Sequence, residues 1–180
     1  DGEGKIRLPV IGSAAIMLQT DYVRGTKDGD ILETQQITAE VKAKLLAVGG
    51  KETELSRRFR IYLDVVLNGL PFLPHRPLFH PAAKLGRLEH FTVEVLDVVD
   101  VVVSKLIRFN VNDNADVRAM VERGLVPHRR LVERFESAVD SFAVDARIER
   151  LPKIVRNLQQ VERDYLGAPP SKIKPPEWMQ

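Results

Sequence analysis

The stretch that most constrains what this chain can fold into is Val10-Ile11-Gly12-Ser13-Ala14-Ala15, followed by Arg24-Gly25-Thr26-Lys27-Asp28-Gly29-Asp30-Ile31-Leu32. An apolar strand from Ile6 to Ile11 that runs into Gly-Ser predicts a tight turn. Ser13 is then the expected N-cap of a short helix reaching about Thr20. Gly25 marks a second turn, and Asp28 to Thr34 reads as a returning strand, although Asp28-Gly29 is also a hairpin signal in its own right. Residues two apart on a strand face the same way, so Asp28 and Asp30 share one side of it. A hydroxyl and amide groups at a helix N-terminus suit a phosphate, and paired carboxylates suit a hard divalent cation, Mg²⁺ or Mn²⁺.

A later segment adds a third acid. From Arg58 to Leu67 the residues Phe59, Ile61, Leu63, Val65 and Leu67 alternate with Arg60, Tyr62, Asp64 and Val66, which predicts a strand. A carboxylate in so apolar a strand either faces water or has a compensating cation, which singles out Asp64. Residues 68–87 hold several prolines with His75 and His80 and read as a connecting or lid loop; the two histidines lack the spacing of a paired zinc ligand. Arg87 to Leu96 alternates again, with Phe91, Val93 and Val95 against Thr92 and Glu94.

Helical spacing covers Thr38 to Val48, stopped by Gly49-Gly50, and most of the chain after Asp97. Asp97 to Phe109 is apolar enough for a buried helix, interrupted by Asp100. Asp113 or Asn114 would cap Ala115 to Glu122. His128 to Phe142 carries an apolar stripe of Leu131, Val132, Phe135, Val139 and Phe142, and Ala146 to Tyr165 reads as a last helix. The tail from Gly167 is proline-rich and extended, with Trp178 placed to dock on a neighbour. Strands gathered first and helices last predict an α+β fold: a small mixed-sheet core over 1–96, a helical region over 97–166 that completes the site, and a tail over 167–180.

Composition narrows the class. The 180 residues are 44% hydrophobic with a formal charge of +2, enough to bury a sizeable core and too balanced to name a partner. The absence of cysteine excludes a disulfide framework and thiolate metal sites, and a cytoplasmic address is the expectation. No apolar run approaches the roughly 18–20 residues that span a bilayer, and Asp1-Gly2-Glu3-Gly4-Lys5 is no signal peptide. Cations from Arg129, Arg130 and Arg134 to Arg163 crowd the last third, either as solvated helix faces or as a surface for a polyanion.

Gly12, Ser13, Asp28 and Asp30, with Asp64 on a later strand, resemble the motifs of the nucleotidyltransferase superfamily that includes DNA polymerase β. Within it, the segment holding Arg24, Thr26, Asp28 and Asp30 is similar to the Arg-x-Thr-x-Asp-x-Asp motif of the AbiEii-type toxin enzymes. Lys105 and Arg108 resemble the family's later pair of cations at a shorter spacing, and Asp113 and Asp116 both qualify as its following acid. Gly29 departs from the pattern, which more often has an apolar residue there. The resemblance covers roughly 8–125. It implies a two-metal enzyme in which Asp28, Asp30 and Asp64 hold Mg²⁺ or Mn²⁺ and are catalytic. Gly12, Ser13, Arg24, Thr26, Lys105, Arg108 and Asp116 would bind an NTP such as ATP. Implied partners are an RNA acceptor such as tRNA, or a protein, and a cognate antitoxin, with no membrane. A degenerate antitoxin or binding module of the same fold, or an antibiotic nucleotidyltransferase, are the alternatives.

Overall fold

The computed structural model describes residues 4–86, 88–142 and 145–174. Arg87 as a strand start and the docking of Trp178 lie outside the described residues. The fold is α+β, and the chain divides into two compact units. One comprises the residues up to Pro71 with Phe79–Asp97; the other comprises Phe72–Leu78 with the residues from Val98 onward. Among the described residues no helix is long and apolar enough to cross a membrane.

The first unit is built on a five-stranded mixed sheet of β1 (Ile6–Val10), β2 (Asp28–Leu32), β3 (Tyr62–Val66), β4 (Phe79–Pro81) and β5 (Phe91–Leu96), ordered β3-β2-β1-β5-β4. β1 runs parallel to β5 and antiparallel to β2; β2 and β3 are parallel, and β4 is antiparallel to β5. The two-residue period of the strands sorts their side chains. Leu8, Ile31 and Val65 turn to one side, where Ile37 and the partly buried Val41, Leu45 and Leu46 of α2 (Ala39–Gly49) cover them. α1 (Gly12–Gln19) packs on β2 and β5.

Several local expectations are corrected. Ser13 does not cap α1: the helix begins at Gly12, whose φ of +64° turns the chain one residue earlier, and Ile11 occupies the cap position. The strand expected from Arg58 starts only at Tyr62. Thr53 accepts the Ser56 N–H and caps a helix, α3 (Glu54–Phe59), which ends at Arg60 with φ of +55°. Apolar alternation over Phe59 to Leu63 reads the same in either case, and the cap upstream decides. The expected loop over 68–87 contains β4 and a 3-10 turn at Ala83–Leu85.

The second unit packs α4 (Val98–Leu106), α5 (Val111–Glu122), α6 (His128–Ser141) and α7 (Leu151–Asp164). Asn110 caps α5, in place of Asp113 or Asn114, because its Oδ1 accepts the Asp113 N–H at 2.9 Å. The expected last helix from Ala146 opens instead as a 3-10 segment, Ala146–Arg150, with Asp145 accepting the Arg147 N–H. Leu131, Phe135 and Val139 form the buried stripe of α6, and Phe72 meets Phe135 and Phe142 edge-on, with ring centroids 5.6 and 5.0 Å apart.

Buried ions tie these helices together. Asp100, the acid that interrupts apolar α4, is fully buried; both of its carboxylate oxygens accept from Arg134 at 2.6 Å, and one also accepts the Leu78 N–H. Arg134 therefore turns inward, away from the cationic face with which its neighbours Arg129 and Arg130 group it. Glu162 of α7, also fully buried, takes His128 of α6 at 2.8 Å and the Ser171 N–H of the returning tail at 2.8 Å.

Removing one partner of a buried pair strands the other charge, so Arg134→Ala is expected to lower unfolding free energy by about 3–5 kcal/mol. Arg129→Ala, which loses only an exposed i,i+4 pair with Glu133, should change it by less than about 0.5 kcal/mol. Urea denaturation of the two variants checks the contrast.

Candidate active site

Strand register puts the three acids on one side of the sheet. β2 and β3 pair in parallel with Asp30 level with Asp64 and Asp28 level with Tyr62. Side chains at paired positions lie on the same side, so Asp28, Asp30 and Asp64 all stand opposite the side that Ile31 and Val65 bury. Asp64 is exposed; Asp28 and Asp30 are half-buried.

Gly12 meets this row at the end of β1. The Ile11 N–H donates to the Asp30 carbonyl at 2.9 Å, and a Cβ placed on Gly12 would lie 3.1 Å from Asp30 Oδ2. A side chain at residue 12 would therefore crowd the Asp30 carboxylate, and the positive φ favours glycine independently. Thr26 donates its hydroxyl to Asp28 Oδ1 at 2.9 Å and so orients that carboxylate. Asp64 Oδ1 accepts the neighbouring Val65 N–H at 2.8 Å. Among the described residues no three acid or imidazole groups converge as a ready metal cage, which agrees with Asp64 folding back on its own strand.

Ser13 and Arg24, read separately from the sequence as phosphate contacts, are brought together: the Arg24 guanidinium donates to Ser13 Oγ at 2.8 Å. They meet at the start of α1, whose first turn contains no acid. A cation and helix amides at one place make an anion-accepting corner.

Lys105, Arg108 and Asp116 lie in the second unit and form a cluster of their own. Lys105, 5% exposed, reaches Asp113 at 3.2 Å and Asp116 at 2.8 Å, and Arg108 forks onto Asp113 at 2.8 and 3.0 Å. Both acids are buried, so the lysine interlocks α4 with α5. Burial pushes the Asp113 carboxyl up, but the Arg108 hydrogen bond and the Lys105 and Arg108 charges outweigh it and hold it below the ordinary range.

Sequence reasoning missed two arrangements. Arg7 and Glu94 form an ion pair across β1 and β5, with the Arg7 guanidinium 5.3 Å from the Phe79 ring centroid. His80 Nε2 lies 2.9 Å from Asp97 Oδ2, placing the histidine on β4. The alternation around Glu94 was legible, but the neighbouring strand was not.

Gly12→Ala would force a left-handed alanine, costing about 1–2 kcal/mol, and displace Asp30 by a few tenths of an ångström. Thermal melting should show that loss. Lys105→Ala, which leaves buried Asp116 without this partner, should cost about 3–5 kcal/mol. The lowered Asp113 makes a signed pH prediction. Its contribution is complete above about pH 5, where the unfolded carboxylate is already ionised, and is lost as pH falls through the lower folded value. Asp145, held at about 2 by the Arg147 hydrogen bond, acts in the same sense. Unfolding free energies from pH 6 to pH 2 should fall less steeply for Asp113→Asn than for the unmodified protein.

A family model described as "Nucleotidyltransferase of unknown function (DUF6036)" matches residues 2–166. No curated protein and no solved structure matches the chain.

Proposed function

We propose, since the chain belongs to the DUF6036 family of nucleotidyltransferases, that it is a Mg²⁺- or Mn²⁺-dependent enzyme moving a nucleoside monophosphate from an NTP to an acceptor hydroxyl. The observation that carries this reading is the row of Asp28, Asp30 and Asp64 on one side of the sheet, with Gly12 shaped around Asp30. Hard carboxylate oxygens in that row fit a divalent cation, and Asp28, Asp30 and Asp64 would hold it. When bound, the metal would neutralise charge developing on the phosphates.

The protein's own groups do the rest. The Ser13 and Arg24 corner holds the β- and γ-phosphates, and Thr26 keeps the Asp28 carboxylate in place. Asp64, once released from the Val65 N–H, accepts the proton of the attacking hydroxyl on a carboxylate oxygen. The acceptor oxygen then bonds to the α-phosphorus as the bond from that phosphorus to the α,β-bridging oxygen breaks, and the bridging oxygen leaves as part of pyrophosphate. Such transfer is mostly positioning and charge neutralisation. The likeness of Arg24 to Asp30 to the AbiEii-type motif supports a cytoplasmic toxin acting on an RNA such as tRNA, or on a protein, with a cognate antitoxin. A second reading, a non-catalytic binding module of the same fold, is favoured by the Asp64 carboxylate bonding back to Val65 and by Gly29 between the acids.

Incubation with each α-labelled NTP, Mg²⁺ or Mn²⁺, and total RNA, protein extract or aminoglycosides separates the readings. Label transfer to one acceptor identifies the enzyme; none in any arm favours the binding module. Asp30→Asn and Asp64→Asn should each reduce transfer on the order of a thousandfold or more. Asp64→Asn should not lower the melting temperature of the metal-free protein, because it relieves repulsion with the level Asp30 carboxylate. Unchanged turnover in both variants would refute the metal-site assignment.

A further inference from the structure

The helix-covered side of the sheet is not sealed throughout. A cavity of about 300 Å³ lies there, with Leu8, Ile31, Leu63 and Val93 in its floor. Ala14, Met17 and Leu18, one stripe of α1, make a wall. Gly29 adds depth, since no side chain stands on it.

The floor crosses β3, β2, β1 and β5, three inter-strand spacings of about 4.8 Å and hence about 14 Å in all. The lining takes in two residues along each of β1 (Leu8, Val10) and β2 (Gly29, Ile31), so the slot is longest across the strands and shorter along them. Every lining residue is apolar or glycine. A nucleobase or a peptide backbone would lose its hydrogen bonds to water there and gain none, which disfavours both.

The character of the surface changes at the Ile61 end. Exposed Arg60 precedes Ile61, and exposed Lys27 runs alongside because the Tyr62 N–H donates to its carbonyl at 2.9 Å. Asp28, next to Lys27, stands on the other side of the sheet and is engaged by Thr26. An apolar slot with cations at one mouth is complementary to an amphiphile with one chain and one anionic head. We propose that this cavity binds a single straight-chain fatty acid, its carboxylate at Lys27 and Arg60 and its chain along the sheet. Because Gly29 lies between Asp28 and Asp30, an occupant touches the strand that presents the acids; binding itself does not depend on the transfer reading.

The test is calorimetric titration of the whole protein with straight-chain carboxylates, hexanoate to hexadecanoate, below their micelle concentrations. Affinity should rise about fourfold per methylene. It should level off near about twelve carbons, the count that fills about 14 Å at roughly 1.25 Å per carbon. Met17→Phe with Leu18→Phe, which fills the slot, should weaken dodecanoate binding at least tenfold with an unchanged melting temperature. Arg60→Glu should weaken dodecanoate and leave dodecanol unaffected. If the filled variant does not fold, the chain-length series on the unmodified protein decides alone. The proposal is overturned by any of three results: no saturable dodecanoate binding, affinity that keeps rising to hexadecanoate, or dodecanol binding as tightly as dodecanoate. Without dodecanoate binding, capture of an apolar helical peptide would give the slot to a protein partner, and dimerisation abolished by the filling substitutions would give it to a second copy; either overturns the proposal.

Discussion

Like charges held side by side are the constraint around which the first unit is built. Asp30 and Asp64 are level on adjacent parallel strands, where like charges repel each other. The register cannot slip to relieve it. A shift of one residue would turn Leu63 and Val65 away from α2 and bury Asp64 in their place. Burial on one side of the sheet therefore fixes where the carboxylates stand on the other.

Gly12 extends the same logic to the chain connection. The close approach of its backbone to Asp30 and the entry into α1 are one event, so the acid row and the anion-accepting corner of Ser13 and Arg24 are set by a single turn. Thr26 then orients Asp28 from the returning segment. The second unit handles charge in the opposite way. Asp100, Asp113, Asp116 and Glu162 are all buried, and each is matched by a cation or histidine from another helix or from further along the chain. Asp28, Asp30 and Asp64 of the first unit keep contact with water, while these buried acids of the second cross-link its helices.

Much of this was legible in the residues themselves. The alternation of Leu63 and Val65 around Asp64, the Gly-Ser step after an apolar strand and the stripe of Leu131, Phe135 and Val139 all follow from local periodicity, which needs no partner to be read. The errors fall where two local rules compete. Phe59 and Ile61 continue a strand pattern, yet Thr53 caps a helix that includes Phe59, and the cap prevails because it satisfies a backbone N–H that the strand pattern leaves unassigned. Arg134 looks like its neighbours Arg129 and Arg130 on the helix, and only its partner 34 residues away distinguishes it.

The sequence by itself determined the α+β class, the two-residue spacing that puts Asp28 and Asp30 on one side of a strand, and the Gly-Ser step after an apolar strand. These depend on side-chain chemistry and short-range geometry. Tertiary structure alone decided that β3 pairs in parallel with β2 so that Asp64 stands level with Asp30, that Gly12 closes on Asp30, that Lys105 is enclosed by Asp113 and Asp116, and that an apolar slot remains beneath Gly29. Strand order and helix docking are settled by which apolar surfaces exclude water together, a global competition that no local run of residues encodes.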